Sequence, residues 1–207
     1  PAGPDDVFYW QQGRAFASTG FDGGYFVAAD QPALAEWSHF YAWGIVTPVI
    51  YGLIGRVVGW PLYAIPLLHS LLLTFAVCVW VWATQPNRQQ SLTGSALLAL
   101  FPPVMLFAPT SMQEGFQQSL AILAAAGFIA LWRHPQQRLI ATGVGVLLVL
   151  MSLAKVTWAI LFLPYFWMLR RPTTVTSWGL IGVATAIIAA SAALWHRWTA
   201  APRSEEH

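Results

Sequence analysis

Residues 61–83 read PLYAIPLLHSLLLTFAVCVWVWA, a run without a single Asp, Glu, Lys or Arg. A helix crossing a bilayer needs about 20 mostly apolar residues, and this run supplies them. It is not alone. Residues 92–109, 116–132 and 178–196 are similarly apolar, although 92–109 contains Pro102 and Pro103. Residues 138–169 form one long apolar stretch broken by Lys155. The stretch 38–58 is apolar too, but holds Gly44, Pro48, Gly52, Gly55 and Arg56. It is read either as a span or as a segment lying partly in the interface.

The composition agrees. Charged residues make up only 9% of the chain and hydrophobic ones 57%. A soluble domain carries about 25% charged residues, so this surface suits lipid rather than water. The sequence predicts an all-α, polytopic transmembrane helical bundle. It would form a single membrane domain over 1–207, with residues 1–60 as an extracytoplasmic loop and about six transmembrane helices over 61–196. Pro1 stands where a methionine would begin a chain, and no signal peptide is visible in the first residues. The expectation is a fragment of a longer protein with at least one helix upstream.

Charge sets the expected topology, because short cytoplasmic loops are enriched in Lys and Arg. The basic loops are 84–91 (Arg88), 133–138 (Arg133, His134, Arg138) and 170–177 (Arg170, Arg171). Placing all three inside makes 138–169 cross twice, turning near Lys155 on the outer side. The acidic residues Asp5, Asp6, Asp22, Asp30, Glu36 and Glu114 then share the outer face. Tryptophans mark the membrane borders: Trp60, Trp158 and Trp195 outside, and Trp82, Trp132, Trp167 and Trp178 inside.

Some functions are excluded or disfavoured. No basic stripe suits nucleic acid. The single cysteine, Cys78, cannot form an internal disulfide, and its place in an apolar run predicts a small buried residue. No Walker loop, GxSxG elbow, HExxH or dinucleotide fingerprint occurs.

The polar residues that remain are candidates for chemistry. Pro4-Asp5-Asp6 precedes a predicted helix over about 6–19 that ends near Gly20. A carboxylate beside the membrane can act as general base, while an Asp at a helix start also serves as a cap. Glu114 could hold a metal or orient an acceptor, and it also completes the capping-box pattern Ser111-x-x-Glu114. Lys155 could hold a phosphate, since ionisable residues within membrane segments are functional candidates, or its ammonium could snorkel to the interface. His69 could bind phosphate or metal, or bond a neighbouring helix. His39 sits where a loop meets an apolar run. Arg14 and Arg56 are further cations for a phosphate or a lipid headgroup.

Taken in order, these pieces resemble the GT-C glycosyltransferase superfamily, integral-membrane enzymes that use polyprenyl-phosphate sugars. Asp5-Asp6-Val7-Phe8-Tyr9 looks like its Asp-acid-x-x-Tyr motif, with Asp5 at the catalytic position because Tyr9 then falls at the matching spacing. Residues 11–20 look like the first jaw helix, and Ser38-His39 through Gly55 like the later jaw segment. Ala108-Pro109 to Glu114 looks like the second outer loop, and Lys155-Val156-Thr157 like the lysine turn, with Val156 where a glycine often stands. The resemblance implies the N-terminal part of a mannosyl- or aminoarabinose-transferase-like enzyme of the bacterial inner membrane. Asp5 and Asp6 would be catalytic, with Glu114 and His39 supporting acceptor or metal. Lys155, Arg14, Arg56 and His69 would bind the donor phosphate. The acceptor would be a glycan, lipid or protein, and a divalent metal ion stays open as a cofactor. A transporter or flippase for an amphiphile, and a non-catalytic membrane scaffold, remain the competing readings.

Overall fold

The computed structural model describes residues 4–23, 45–59, 61, 63–107, 110, 112–171 and 173–199. Every regular element among them is helical. Three helices are long and apolar enough to cross a membrane: Ala64–Thr84 (α3), Gln113–Arg133 (α6) and Val175–Thr199 (α9). These match the runs at 61–83, 116–132 and 178–196, and they make the chain a helical membrane protein.

The central element is α6. Half of its most apolar window is buried, against 17% in α3 and in α9. It pairs with α3 along its length, and the two run in the same direction. At their C-terminal ends, Arg133 Nη1 and Nη2 donate to the carbonyls of Ala83 (2.6 Å) and Thr84 (2.9 Å). These are carbonyls that helix geometry leaves without partners. Small residues let the backbones approach, as expected where lipid offers no hydrophobic drive between helices. Ala83, Ala126 and Ala130 pack into one buried cluster. Nearer the N-terminal ends, Gly115 leaves room for the ring of His69: a Cβ there would lie 2.7 Å from His69 Nδ1.

Between α3 and α6 the chain returns in two pieces, Arg88–Leu100 (α4) and Pro102–Phe107 (α5). The sequence predicted one span over 92–109. Pro102 instead holds Phe101 extended (φ −68°, ψ 113°), because a proline ring clashes with a helical residue before it. The start of α4 is well fixed by a reciprocal capping box between Asn87 and Gln90.

Residues 138–170 form a hairpin. Arg138–Ala154 (α7) ends at an extended Lys155; a 3-10 segment, Val156–Leu161, then leads into Phe162–Arg170 (α8). The arms fold back on each other, since Tyr165 Oη donates to the carbonyl of Ala141 at 3.0 Å. The turn predicted near Lys155 is therefore present. At the open end of the hairpin Trp167 stacks on Trp132, with ring centroids 6.0 Å apart. Leu148, Met151 and Phe162 bury against Leu120 and Leu131 of α6 to form the main core.

The first two helices are a separate pair, Pro4–Thr19 (α1) and Val46–Val58 (α2). The helix predicted over about 6–19 is present and gives way to a 3-10 turn at Gly20, where φ is +66°. The described part of the 38–58 stretch is a 13-residue helix, about 20 Å long, too short by itself to cross a hydrocarbon core of about 30 Å. The two helices touch closely at Gly52, where a Cβ would lie 2.5 Å from Phe16 Cδ1. Arg56 closes the end of α1: its Nε donates to the Ala17 carbonyl at 2.8 Å, and its guanidinium lies 5.7 Å from the Phe16 ring centroid. Trp195 of α9 packs on Phe16 and Ile45, which seats the pair against the last turns of α9.

Cys78 corrects one expectation. It is exposed on α3 rather than buried. In a helix facing lipid a thiol need not turn inward, since the apolar environment is outside the protein as well as within it.

Candidate functional site

The helices gather a set of buried polar groups at one end, called here the Glu114 end. Tyr51 of α2 and His69 of α3 share a hydrogen bond of 2.6 Å between Oη and Nε2. The Tyr51 phenol is held protonated well above its ordinary value, first by burial and then by Tyr9 and Glu114, which lie within electrostatic reach. Which of the two atoms donates depends on the tautomer of the ring. The other ring nitrogen, Nδ1, is buried without a hydrogen-bond partner.

Glu114 stands next to Gly115, on which the His69 ring rests. Its Oε2 is buried without a protein partner. The helix α6 begins after Met112, whose side chain makes no cap, and Ser111 of the predicted capping box lies outside the described residues. Gln113 Oε1 is likewise buried and unpaired. Gln117, one turn further, accepts a hydrogen bond from Trp158 Nε1, while its own Nε2 finds no partner. That bond ties the Lys155 turn to the Glu114 end. Thr47 Oγ1 on α2, Gln12 Nε2 on α1 and His196 Nε2 on α9 are also buried and unpaired. Such groups usually find partners, and leaving one unmade costs about 1–3 kcal/mol. Their concentration at one end makes it the candidate site.

The predicted site residues sort clearly. Glu114 and His69 come together with Tyr51, and Lys155 lies exposed in the turn that Trp158 anchors nearby. Asp5 and Asp6 fall in the first turn of α1, one helical turn before Tyr9; their side chains are outside the described residues, as is His39. Arg56 is engaged at the end of α1, away from the Tyr51–His69 pair. Arg14 is exposed, its guanidinium 5.3 Å from the Trp10 ring centroid. Sequence reasoning did not single out Gln113, Gln117 or Thr47 as site residues. The available signal was their spacing, since Gln113 and Gln117 lie one turn apart, as do Thr47 and Tyr51.

Among the described residues no three His, Cys, Asp or Glu side chains converge to hold a metal ion. His69 and Glu114 could supply two ligands. A second feature is an apolar groove of about 480 Å³ between α3, α4 and α6, lined by residues such as Trp80, Gly94, Leu98, Phe101 and Ile122. Buried polar acceptors at one end and an apolar groove along the helices suit an amphiphilic ligand. No protein-family model matches the chain, and neither a curated protein nor a solved structure matches it.

Proposed function

We propose that the protein is a membrane glycosyltransferase of the GT-C type, moving a sugar from a polyprenyl-phosphate donor to an acceptor on the extracytoplasmic face. The observation that carries this reading is the buried, unpaired carboxylate oxygen of Glu114 beside the Tyr51–His69 pair. Tyr9 of α1 and Glu114 both lie within electrostatic reach of Tyr51, and Asp5 precedes Tyr9 by one helical turn. In this reading Asp5 accepts the proton of an acceptor hydroxyl or amine. The acceptor atom bonds to the anomeric carbon as the carbon–oxygen bond to phosphate breaks, and polyprenyl phosphate leaves. The exposed Lys155 offsets charge on the departing phosphate. Displacement in one step inverts the anomeric configuration. Asp6, Glu114 and His69 orient the acceptor, the donor or a divalent ion, and the carrier's apolar chain follows a groove between helices.

A transporter would keep its polar groups near the membrane midplane, between broken helices. The unpaired groups here gather at one end instead, which favours chemistry at a membrane surface.

The test is transfer from a labelled polyprenyl-phosphate sugar pool in membranes carrying the full-length protein. Asp5→Asn keeps the shape and removes the base, so transfer should fall by about 10²–10⁴-fold. Undiminished transfer by a well-expressed variant would sink the assignment of the base.

A further inference from the structure

The opposite end of the molecule holds a feature that sugar transfer does not use. Arg88, Arg133, Arg138, Arg170 and Arg171 lie there, with no Asp or Glu among the described residues of the same loops. Arg133 is committed to the carbonyls at the end of α3. Arg170 instead lines a cavity of about 490 Å³ between α8 and α9. The cavity is graded. Arg170 and Ser177 make its polar mouth, and Phe166, Leu180, Ile181 and Ala184 its apolar walls. From Ser177 to Ala184 the α9 axis advances about 10 Å, so the grade runs from the start of a membrane-crossing helix into its apolar part. The N-terminal turn of α9 adds the positive end of a helix dipole. It is fixed by Thr174 Oγ1, which accepts from the Ser177 backbone at 3.2 Å. Arg171 lines a second cavity of about 280 Å³ with Trp132 and Trp167, so the two arginines serve different recesses.

We propose that the cavity between α8 and α9 is a binding site for an anionic glycerophospholipid. The phosphate sits at Arg170 and Ser177, and one acyl chain runs down the Leu180–Ala184 face. The charge pattern selects the headgroup. A choline headgroup would bring its own cation against a cluster of arginines that has no acidic counterpart. A glycerol headgroup leaves the lipid with net negative charge, which basic pockets between membrane helices attract. The cavity's apolar walls distinguish this site from the general attraction of a basic loop, since a loop binds headgroups without seating a chain.

The experiment is native mass spectrometry of the full-length, detergent-solubilised protein with added phosphatidylglycerol or phosphatidylcholine of matched chains. Wild type should retain phosphatidylglycerol about fivefold over phosphatidylcholine, the factor expected for one cation near a membrane surface. Arg170→Gln should erase that preference. Ala184→Phe, which fills the apolar part and leaves every charge in place, should lower occupancy by a similar factor. Arg88→Gln, at the same end but outside the cavity, should bind as wild type. Thermal melting of each variant reports that it is folded. Equal retention of the two lipids by wild type would overturn the proposal, as would wild-type preference in Arg170→Gln. Wild-type occupancy in Ala184→Phe would do the same, and an equal loss in Arg88→Gln would reduce the site to loop charge.

Discussion

The two ends of the bundle treat polar groups in opposite ways. At the arginine end the helix termini are tied off: Arg133 takes the last carbonyls of α3, Asn87 and Gln90 cap α4 reciprocally, and Thr174 caps α9. At the Glu114 end one atom each of Glu114 (Oε2), Gln113 (Oε1), His69 (Nδ1), Thr47 (Oγ1) and Gln117 (Nε2) is buried without a hydrogen-bond partner. At the arginine end the helix termini are closed by the chain's own side chains, whereas at the Glu114 end buried polar atoms have no protein partner. Helix closure and the proposed chemistry are thereby separated along one helix, α6, which contributes Arg133 to the first end and Glu114 to the second.

Predictions follow from trying to break that separation. The largest effect belongs to Glu114→Gln. It changes a carboxylate whose Oε2 has no protein partner, so the proposed sugar transfer should fall by about a hundredfold as orientation is lost, while the melting temperature holds or rises. Unchanged transfer would break the comparison, because the unpaired carboxylate would then have no part in the chemistry. Next comes Gly115→Ala, whose methyl would press on the His69 ring. Overpacking of this kind costs about 1–3 kcal/mol, read as a lower melting temperature together with impaired transfer. Arg133→Gln probes the arginine end. Losing its bonds to Ala83 and Thr84 should cost about 1 kcal/mol of stability and leave transfer per folded molecule unchanged. The smallest effect is expected from Tyr165→Phe, which strands only the Ala141 carbonyl's extra bond and should cost about 0.6 kcal/mol by chemical denaturation in micelles.

Much of this was legible before folding. Long apolar runs gave α3, α6 and α9 within a few residues, because in lipid a backbone has few alternatives to a helix. The interruption at Lys155 correctly located a turn. The apolarity of the 92–109 run masks the effect of its prolines: Pro102 breaks it into two helices. The spacing of Glu114 from Ser111 fits a cap as well as a site, and the sequence does not show that its Oε2 is buried without a protein partner. The contacts that define the site were hidden for a different reason. Tyr51 and His69 are 18 residues apart, and Trp158 and Gln117 are 41 apart. Such pairings depend on how helices cross, and no local pattern encodes that. Whether Asp5 and Asp6 face the same space was implied only by resemblance, and their side chains lie outside the described residues.

The Lys155 hairpin has a mechanical consequence. Its first arm, α7, has 17 residues and rises about 25 Å, and the 3-10 segment with α8 rises about as much. Hydrocarbon of ordinary depth is about 30 Å thick. A bilayer enclosing this hairpin would have to thin around it by about 5 Å, at a fraction of a kcal/mol for each ångström. The leaflet would sag into a dimple centred on the turn. Lipids standing in that dimple would have their headgroups lowered to the level of Lys155 before any of them touched the protein.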